Sequence, residues 1–428
     1  MKIGLQLIDL IRGTNILQRF EELKNPAGSK VRTSHSIRLA QLLKEIKSSN
    51  AFYRPILEKF SNEVIDKNPL DVLSSLPIMD KKTISSHYKE IFTPLKNRPV
   101  QQKKTGGSTG TPFYYYVDKE HLSWFWGYIY HFWNLYSGYK PGDPFVTIAG
   151  NSLRTTKKRL LEKTYHFLQN NYFITGDIID ETLQIDYNKT RKAVLLYGYP
   201  SSILKIIKTK PEVLNHFSGL KAVFTTSEQL LPASRKSIEA AFKVPIYDMY
   251  GANDGGILTC ECSQHTGYHI NELNCYVETF INEHGLSELL LTNLNSYSFP
   301  FIRYRVGDLG KLESQPCQCG ENSPRIVELK GRTRDMILLP GGKSIHGSFF
   351  NTVFYKYPGI DGYRIVQNKD LSIVLHIHTI DPEDYKEVSA LVYEDIQKAV
   401  KGAKITIEFM TDLNPTNDKF KLIESHVL

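Results

Sequence analysis

AVLLYGYPSSILKIIKT, residues 193–209, sets a short run of β-forming residues directly before a proline and a stretch whose apolar residues recur at helical spacing. The couplet returns along the chain. PFVTIA (144–149), AVFTTS (222–227) and VPIYDMYG (244–251) read as strands, and PASRKSIEAAF (232–242) reads as a helix opened by proline. Strand and helix alternating between Gly142 and Gly256 imply a parallel sheet with crossover helices.

Working outward from that core, residues from Ser36 to Ile91 have helical periodicity, with Asp80 in LPIMDKKTI placed to cap a helix. FYYYVD (113–118) reads as a strand. HLSWFWGYIYHFWNLY (121–136) carries aromatics on nearly every face and reads as a buried helix packed in the core. After Gly267 the pattern turns to strands. Past Gly331, DGYRIVQ, LSIVLHIH, DPEDYKEVSALVYEDIQKAV and KITIEFM read strand, strand, helix, strand. The expectation is an α/β protein with a large N-terminal domain over 1–330, helical at its start and β-rich at its end, followed by a small mobile α+β domain over 331–428.

The chain has 428 residues, 41% of them hydrophobic and 23% charged, the balance of a folded protein. No apolar run reaches the roughly 18 residues of a membrane span. The opening MKIGLQLIDLIRGTNILQRF, broken by Asp9, Arg12 and Arg19, reads as an amphipathic helix and not a signal peptide. The net charge of +8 has no arginine-rich tract, which suits an anionic small substrate; no nucleic-acid partner is expected.

KKTGGSTGTPFYYY (103–116) is a glycine- and hydroxyl-rich loop running into aromatics. Its backbone N–H groups suit a phosphate, and a plain surface turn is the competing reading. It is no Walker loop, because that motif needs a buried strand before the glycines, GK[ST] at its end and a helix after it. A flap able to fold over phosphates fits better. The five cysteines do not form a disulfide framework, since four sit as Cys260/Cys262 and Cys317/Cys319, with His265 and His269 near the first pair. Tetrahedral zinc in a reducing compartment is expected, held by the four thiolates or by a Cys₃His set using one of those histidines. Cys275 reads as a small buried hydrophobe.

TGGSTGTP (105–112), YGANDGG (250–256), FIRYRVGDLG (301–310), ELKGRTRD (328–335) and NPTNDKFKL (414–422) stand in an order that resembles the adenylate-forming enzymes. Within them the chain looks most like the short phenylacetate-CoA ligase type and its capsule-biosynthesis, CapK-type relatives. The resemblance implies that Thr105, Gly107, Ser108, Thr109 and Gly110 close over ATP phosphates, and that Tyr250 and Gly251 lie against adenine. It further implies that Ser227 and Glu228 stand beside the nucleotide and acyl pocket and Asp254 helps hold Mg²⁺. Asp308 would accept the ribose hydroxyls, Arg332 would belong to the interdomain hinge, and Lys419 would reach the carboxylate and α-phosphate. Taken alone, Asp308 could shape a turn, Tyr250 pack in the core, Arg332 pair structurally and Lys419 be solvated.

Three positions depart from the pattern: Phe113 where many members have lysine, Asp254 in place of glutamate, and Asp418 in place of the glycine before the lysine. The resemblance implies a cytoplasmic, ATP- and Mg²⁺-dependent ligase that adenylates a carboxylic acid and passes the acyl group to CoA. The alternatives are an amine or sugar acceptor in capsule or O-antigen synthesis, and a catalytically silent nucleotide-binding scaffold.

Overall fold

The computed structural model describes residues 2–24, 35–94, 100–105, 113–149, 159–175, 179, 182–252, 254–283, 285–332, 336–346, 348–354, 357, 360–379, 385–400, 402–410 and 423–427. By packing, the chain forms two compact units. The first comprises Met1–Thr279, Leu290–Val306 and Lys311–Val327; the second comprises Phe280–Leu289, Gly307–Gly310 and Glu328–Leu428.

The first unit opens with α1 (Lys2–Arg12) and α2 (Ile16–Lys24). Where one amphipathic helix was expected there are two, because Gly13 turns at φ 62° and the Asp9 carboxylate accepts from Ile16 N (2.9 Å) and Leu17 N (3.1 Å), capping the second. Short helices follow: α3 (His35–Ser49), α4 (Arg54–Leu57), α5 (Asn62–Lys67), α6 (Pro69–Ser74), α7 (Lys81–Ser86) and α8 (Tyr88–Ile91). Asp80 caps α7 as its position implied, its carboxylate accepting from Thr83 N at 2.7 Å. These helices bury Leu39, Leu43, Ile46, Leu57 and Ile84 in one core with Phe299, Phe301 and Tyr304. Strands β1 (Val100–Thr105) and β2 (Phe113–Asp118) pair antiparallel from Val100↔Asp118 to Thr105↔Phe113, so the glycine-rich segment joins the two arms of a hairpin.

Next come α9 (Lys119–Ser137), β3 (Phe145–Ala149), α10 (Arg159–Leu168), β4 (Asn171–Thr175), α11 (Tyr187–Lys192) and β5 (Leu195–Gly198). They are followed by α12 (Pro200–Thr209), β6 (Ala222–Thr226), α13 (Pro232–Phe242), β7 (Ile246–Ala252), β8 (Ile257–Glu261) and β9 (Tyr268–Ile270). Strands run β9-β8-β7-β6-β5-β3-β4 across the sheet. β4, β3, β5, β6 and β7 are parallel, and β8 and β9 turn antiparallel. The period of two sorts side chains onto two faces. Phe145, Leu195, Tyr197, Phe224, Tyr247, Met249 and Cys260 meet α9 and the first helices, with Trp133 fully buried among them. Val146, Ile148, Leu196, Val223 and Ile246 meet Ile203 and Ile206 of α12 and Ile238 of α13. Each such large apolar side chain contributes about 1.5–3 kcal/mol by leaving water. The aromatic helix α9 is a core element, closed by Gly138 in the left-handed conformation.

Strands β10 (Cys275–Ile281), β11 (Ser287–Asn293), β12 (Tyr304–Glu313) and β13 (Arg325–Arg332) supply the β-rich stretch. In the second unit β14 (Met336–Leu338) pairs β15 (Ser344–His346), and β16 (Ile360–Gln367), β17 (Ile373–Thr379), β18 (Ile405–Phe409) and β19 (Ile423–Ser425) form a sheet ordered β18-β17-β16-β19. Phe350 and Val353 of α14 (Ser348–Phe354) and Val392 and Ile396 of α15 (Tyr385–Ala399) pack on Ile365, Leu375 and Ile377 of that sheet. Among the described residues no helix is long and apolar enough to cross a membrane.

Candidate functional site

In an open parallel sheet the crevice beyond the carboxyl ends of the strands is where ligands gather. β6 and β7 deliver expected site residues to that edge. Their pairing ends at Thr226↔Met249, so Ser227, the first residue past β6, follows on beside Tyr250, which continues β7. Ser227 has φ 68°, a conformation glycine adopts without strain and serine seldom takes. Both oxygens of Glu228 are occupied: Ser201 N donates to Oε2 (3.0 Å) and Ser201 Oγ to Oε1 (2.8 Å), so this carboxylate caps the first turn of α12. Tyr250 is half-buried and Gly251 exposed.

The turn after β7 is tightly determined. Gly255 and Gly256 have φ 87° and 70°, and a Cβ on Gly256 would lie 1.9 Å from His121 Cε1 and 2.3 Å from Asn293 Nδ2. Asn293 Nδ2 donates to Gly255 O (2.9 Å) and meets His121 Nδ1 (2.8 Å), while Asn274 Nδ2 donates to Gly256 O (2.6 Å). Burial, helped by the nearby Lys103 cation, brings His121 down to about 4, so the ring is neutral and braces the turn. Asp254 emerges from this frame buried, its Oδ2 accepting from Tyr304 OH at 2.7 Å and pairing with Lys81 Nζ at 2.8 Å. Its donor set offers a divalent cation one oxygen, Oδ1, because two partners already saturate Oδ2. Sequence reading missed Lys81, Tyr304 and His121. Lys81 follows the Asp80 cap and so had to sit in the first turn of a helix, but no local pattern reveals that the helix faces Asp254.

Lys103, half-buried in β1, is brought down to about 8 by burial and the Arg12 cation. Asp308 is buried in β12 and packs within the second unit, to which Arg332, the last residue of β13, also belongs. Thr105 ends β1. Gly107, Ser108, Thr109, Gly110, Asp418 and Lys419 lie outside the described residues.

Cys262, His269, Cys317 and Cys319 present ligand atoms all within 4.8 Å of one another. Cys262 Sγ and Cys317 Sγ are 3.7 Å apart, and Cys319 Sγ lies 3.4 Å from His269 Nε2. Four bonds of zinc length at tetrahedral angles separate sulfurs by about 3.8 Å, so the group fits such an ion, whereas a disulfide needs about 2.05 Å. Ser323 Oγ, 3.0 Å from His269 Nδ1, orients the ring so that Nε2 faces the thiols. Burial raises the Cys317 thiol, but hydrogen bonding from Cys319, His269 and Thr266 outweighs it and brings it down to about 6. Cys260 stands apart, fully buried in the aromatic core, because β8 ends at Glu261 and the next residue leaves the strand's alternation. His265 instead meets Glu261 Oε2 at 3.1 Å. The structure thus assembles the Cys₃His alternative with His269 and separates Cys260 from the other three thiols. Cys275 is buried, as its apolar setting implied.

No protein-family profile matches the chain. Among solved structures, it superposes on 2-hydroxyisobutyryl-CoA ligase in the postadenylation state with TM-score 0.67 at 16% identity, over 91% of this chain and 88% of that one. It also matches ATP-bound MatB from Rhodopseudomonas palustris with TM-score 0.51 at 14% identity, over 76% and 65%. The fold is therefore that of the adenylate-forming ligases. In sequence the chain is similar to Protein CapK of Staphylococcus aureus, 27% identical over 314 residues, 70% of this chain and 67% of that protein. It is 22% identical over 401 residues to phenylacetate-coenzyme A ligase of Thermus thermophilus, covering 90% and 87%. It is 37% identical over 125 residues to indoleacetate–lysine synthetase of Pseudomonas savastanoi, covering 28% and 30%. In fold the chain is thus similar to these ligases, and in sequence it is similar to CapK and phenylacetate-CoA ligase.

Proposed function

We propose that the protein activates a carboxylic acid as its acyl-adenylate at the expense of ATP and transfers the acyl group to an acceptor, CoA by default. The observation that carries this reading is the turn of YGANDGG, which sets Asp254, with Lys81 and Tyr304 bound to it, beyond the β7 end of a parallel sheet. Attack of a carboxylate on the α-phosphate joins two anions, so the site has to supply positive charge and fixed donors and needs no acid or base. Lys81 is one such cation, held in place by Asp254. Lys419 is the second on the grounds of its motif. Bound Mg²⁺ would neutralise phosphate charge, with Asp254 as the residue that holds it. Tyr250 and Gly251 are assigned to adenine, Asp308 to the ribose and the segment from Thr105 to Gly110 to the phosphates. Ser227 and Glu228 border the pocket, and Arg332 belongs to a hinge between domains meeting near residues 330 and 331.

Zinc, held by Cys262, His269, Cys317 and Cys319, would supply a structural tie across segments about fifty residues apart in sequence. Thiolates kept in this state suit a reducing compartment, the cytoplasm. One observation favours a second acceptor: indoleacetate–lysine synthetase, similar over 125 residues, is by its name an enzyme that joins an acid to an amine. Pyrophosphate exchange into ATP across a panel of carboxylic acids tests the shared first half-reaction. Acid-dependent exchange that disappears in Lys419→Ala is expected; absence of exchange with every acid points to a silent scaffold. Thioester or amide among the products then decides the acceptor.

A further inference from the structure

A buried polar network joins the Cys/His cluster to the nucleotide edge of the sheet, and neither end explains it. Asp248, in the middle of β7 and two residues before Tyr250, accepts from Thr225 Oγ1 at Oδ1 (2.6 Å) and from Tyr268 OH at Oδ2 (2.6 Å). Its backbone N donates to Glu261 Oε2 at 3.1 Å. That oxygen also accepts from Arg235 Nη2 (2.6 Å), and His265 Nδ1 lies 3.1 Å away. Two of Asp248's partners are chain neighbours of cluster ligands: Glu261 precedes Cys262 and Tyr268 precedes His269. The third, Thr225, stands two residues before Ser227 on β6. The Tyr268 ring also meets the Tyr250 ring edge-on, centroids 6.4 Å apart.

We infer that Asp248 and Tyr268 are positioning residues through which metal occupancy of the Cys/His cluster sets the protein's affinity for ATP. This rests on the adenylating reading above. An occupied cluster fixes the Glu261–Cys262 and Tyr268–His269 junctions, and those junctions carry two of the three side chains hydrogen-bonded to Asp248. With Asp248 fixed, the β6 and β7 ends keep Ser227 and Tyr250 side by side. When the cluster is empty, only hydrogen bonds among the ligands and to Ser323, Thr266 and Arg325 tie the four ligand residues together, and the two strand ends lose the metal as a shared anchor. Outer-shell groups that orient metal ligands are known to transmit such effects in the reverse direction as well. Coupling of this kind is reciprocal: if the metal favours ATP, ATP favours the metal by the same factor.

The test uses the full chain, loaded with Co²⁺ so that the thiolate absorption bands report the cluster, and stripped with a chelator under reducing conditions. ATP affinity is measured calorimetrically in both states. Stripping should weaken ATP binding about 10-fold, and ATP should slow or oppose chelation to the same extent. Tyr268→Phe keeps the ring against Tyr250 and removes only the hydroxyl. In this variant the Co²⁺ spectrum should remain, ATP affinity should already be at the stripped level, and stripping should change it no further. Equal ATP affinity with and without metal in the wild type overturns the coupling, as does a Tyr268→Phe protein that binds ATP fully. Unfolding on stripping does not blunt the test, since the metal-loaded variant still decides it. Failure of any form to bind ATP, with the Co²⁺ bands present, overturns the adenylating reading and this inference with it.

Discussion

The two ends of the β7–β8 hairpin are built from the same strands and do opposite things with charge. At the turn end, Asp254 is buried yet holds a lysine from α7 at 2.8 Å, a cation brought in from more than 170 residues away in sequence. At the far end, Asp248 is enclosed and the nearby Arg235 is bound to Glu261; burial raises the Asp248 carboxyl to about 7 while the Thr225 and Tyr268 hydrogen bonds and the Arg235 cation pull against that. Glu261 beside it is held below the usual carboxylate range despite burial, by His265 and Arg235. The turn end keeps charge available for chemistry. The far end consumes its charge internally, and beyond it thiols and an imidazole converge where a soft cation fits.

That contrast can be broken one residue at a time. The largest effect is expected at the cluster: Cys262→Ser should abolish stoichiometric zinc and cost about 3 kcal/mol or more of stability, read by metal analysis and denaturant unfolding. Cys260→Ala should cost only what a small core cavity costs, about 1–2 kcal/mol, and leave the zinc in place. Equal zinc loss in both variants would erase the distinction between the two thiols. At the turn end, Lys81→Met should lower pyrophosphate exchange about 100-fold while zinc content stays unchanged. A variant with normal exchange would reduce Lys81 to a structural partner of Asp254.

Asp248 offers a pH signature. Its folded-state carboxyl titrates higher than in the unfolded chain, so its contribution is fully present below about 4 and is lost as pH rises to about 7. Over that window it should give a slope of up to about 1.4 kcal/mol per pH unit, and Asp248→Asn should flatten it. Glu261 acts in the opposite sense, its contribution being lost as pH falls below the ordinary carboxylate range. The smallest effect is at the sheet edge, where Ser227→Gly relieves a left-handed backbone and should alter unfolding free energy by about 1 kcal/mol or less.

The parallel core was legible because it is local: strand, proline, helix, repeated within short windows from Phe145 to Ala252. The Asp80 cap and the core role of α9 were legible for the same reason. The break at Gly13 was written in the sequence but needs the Asp9 side chain, seven residues before the helix it caps, to be understood. The choice of His269 over Cys260 was not legible. It depends on β8 ending one residue before Cys262, and strand ends shift by a residue for reasons that lie in packing. Lys81 and Tyr304 were hidden for a stronger reason: they meet Asp254 only after helices and strands far apart in sequence have packed into one core.

Adenylation leaves an isotopic trace that no other use of ATP reproduces. With a carboxylic acid labelled by ¹⁸O in its carboxylate, an acceptor and ATP, one labelled oxygen should pass to the phosphate of AMP, with unlabelled pyrophosphate as the other product. Label in inorganic phosphate with ADP formed would mean attack at the γ-phosphate and contradict the assignment, as would the absence of nucleotide turnover with every acid and acceptor offered.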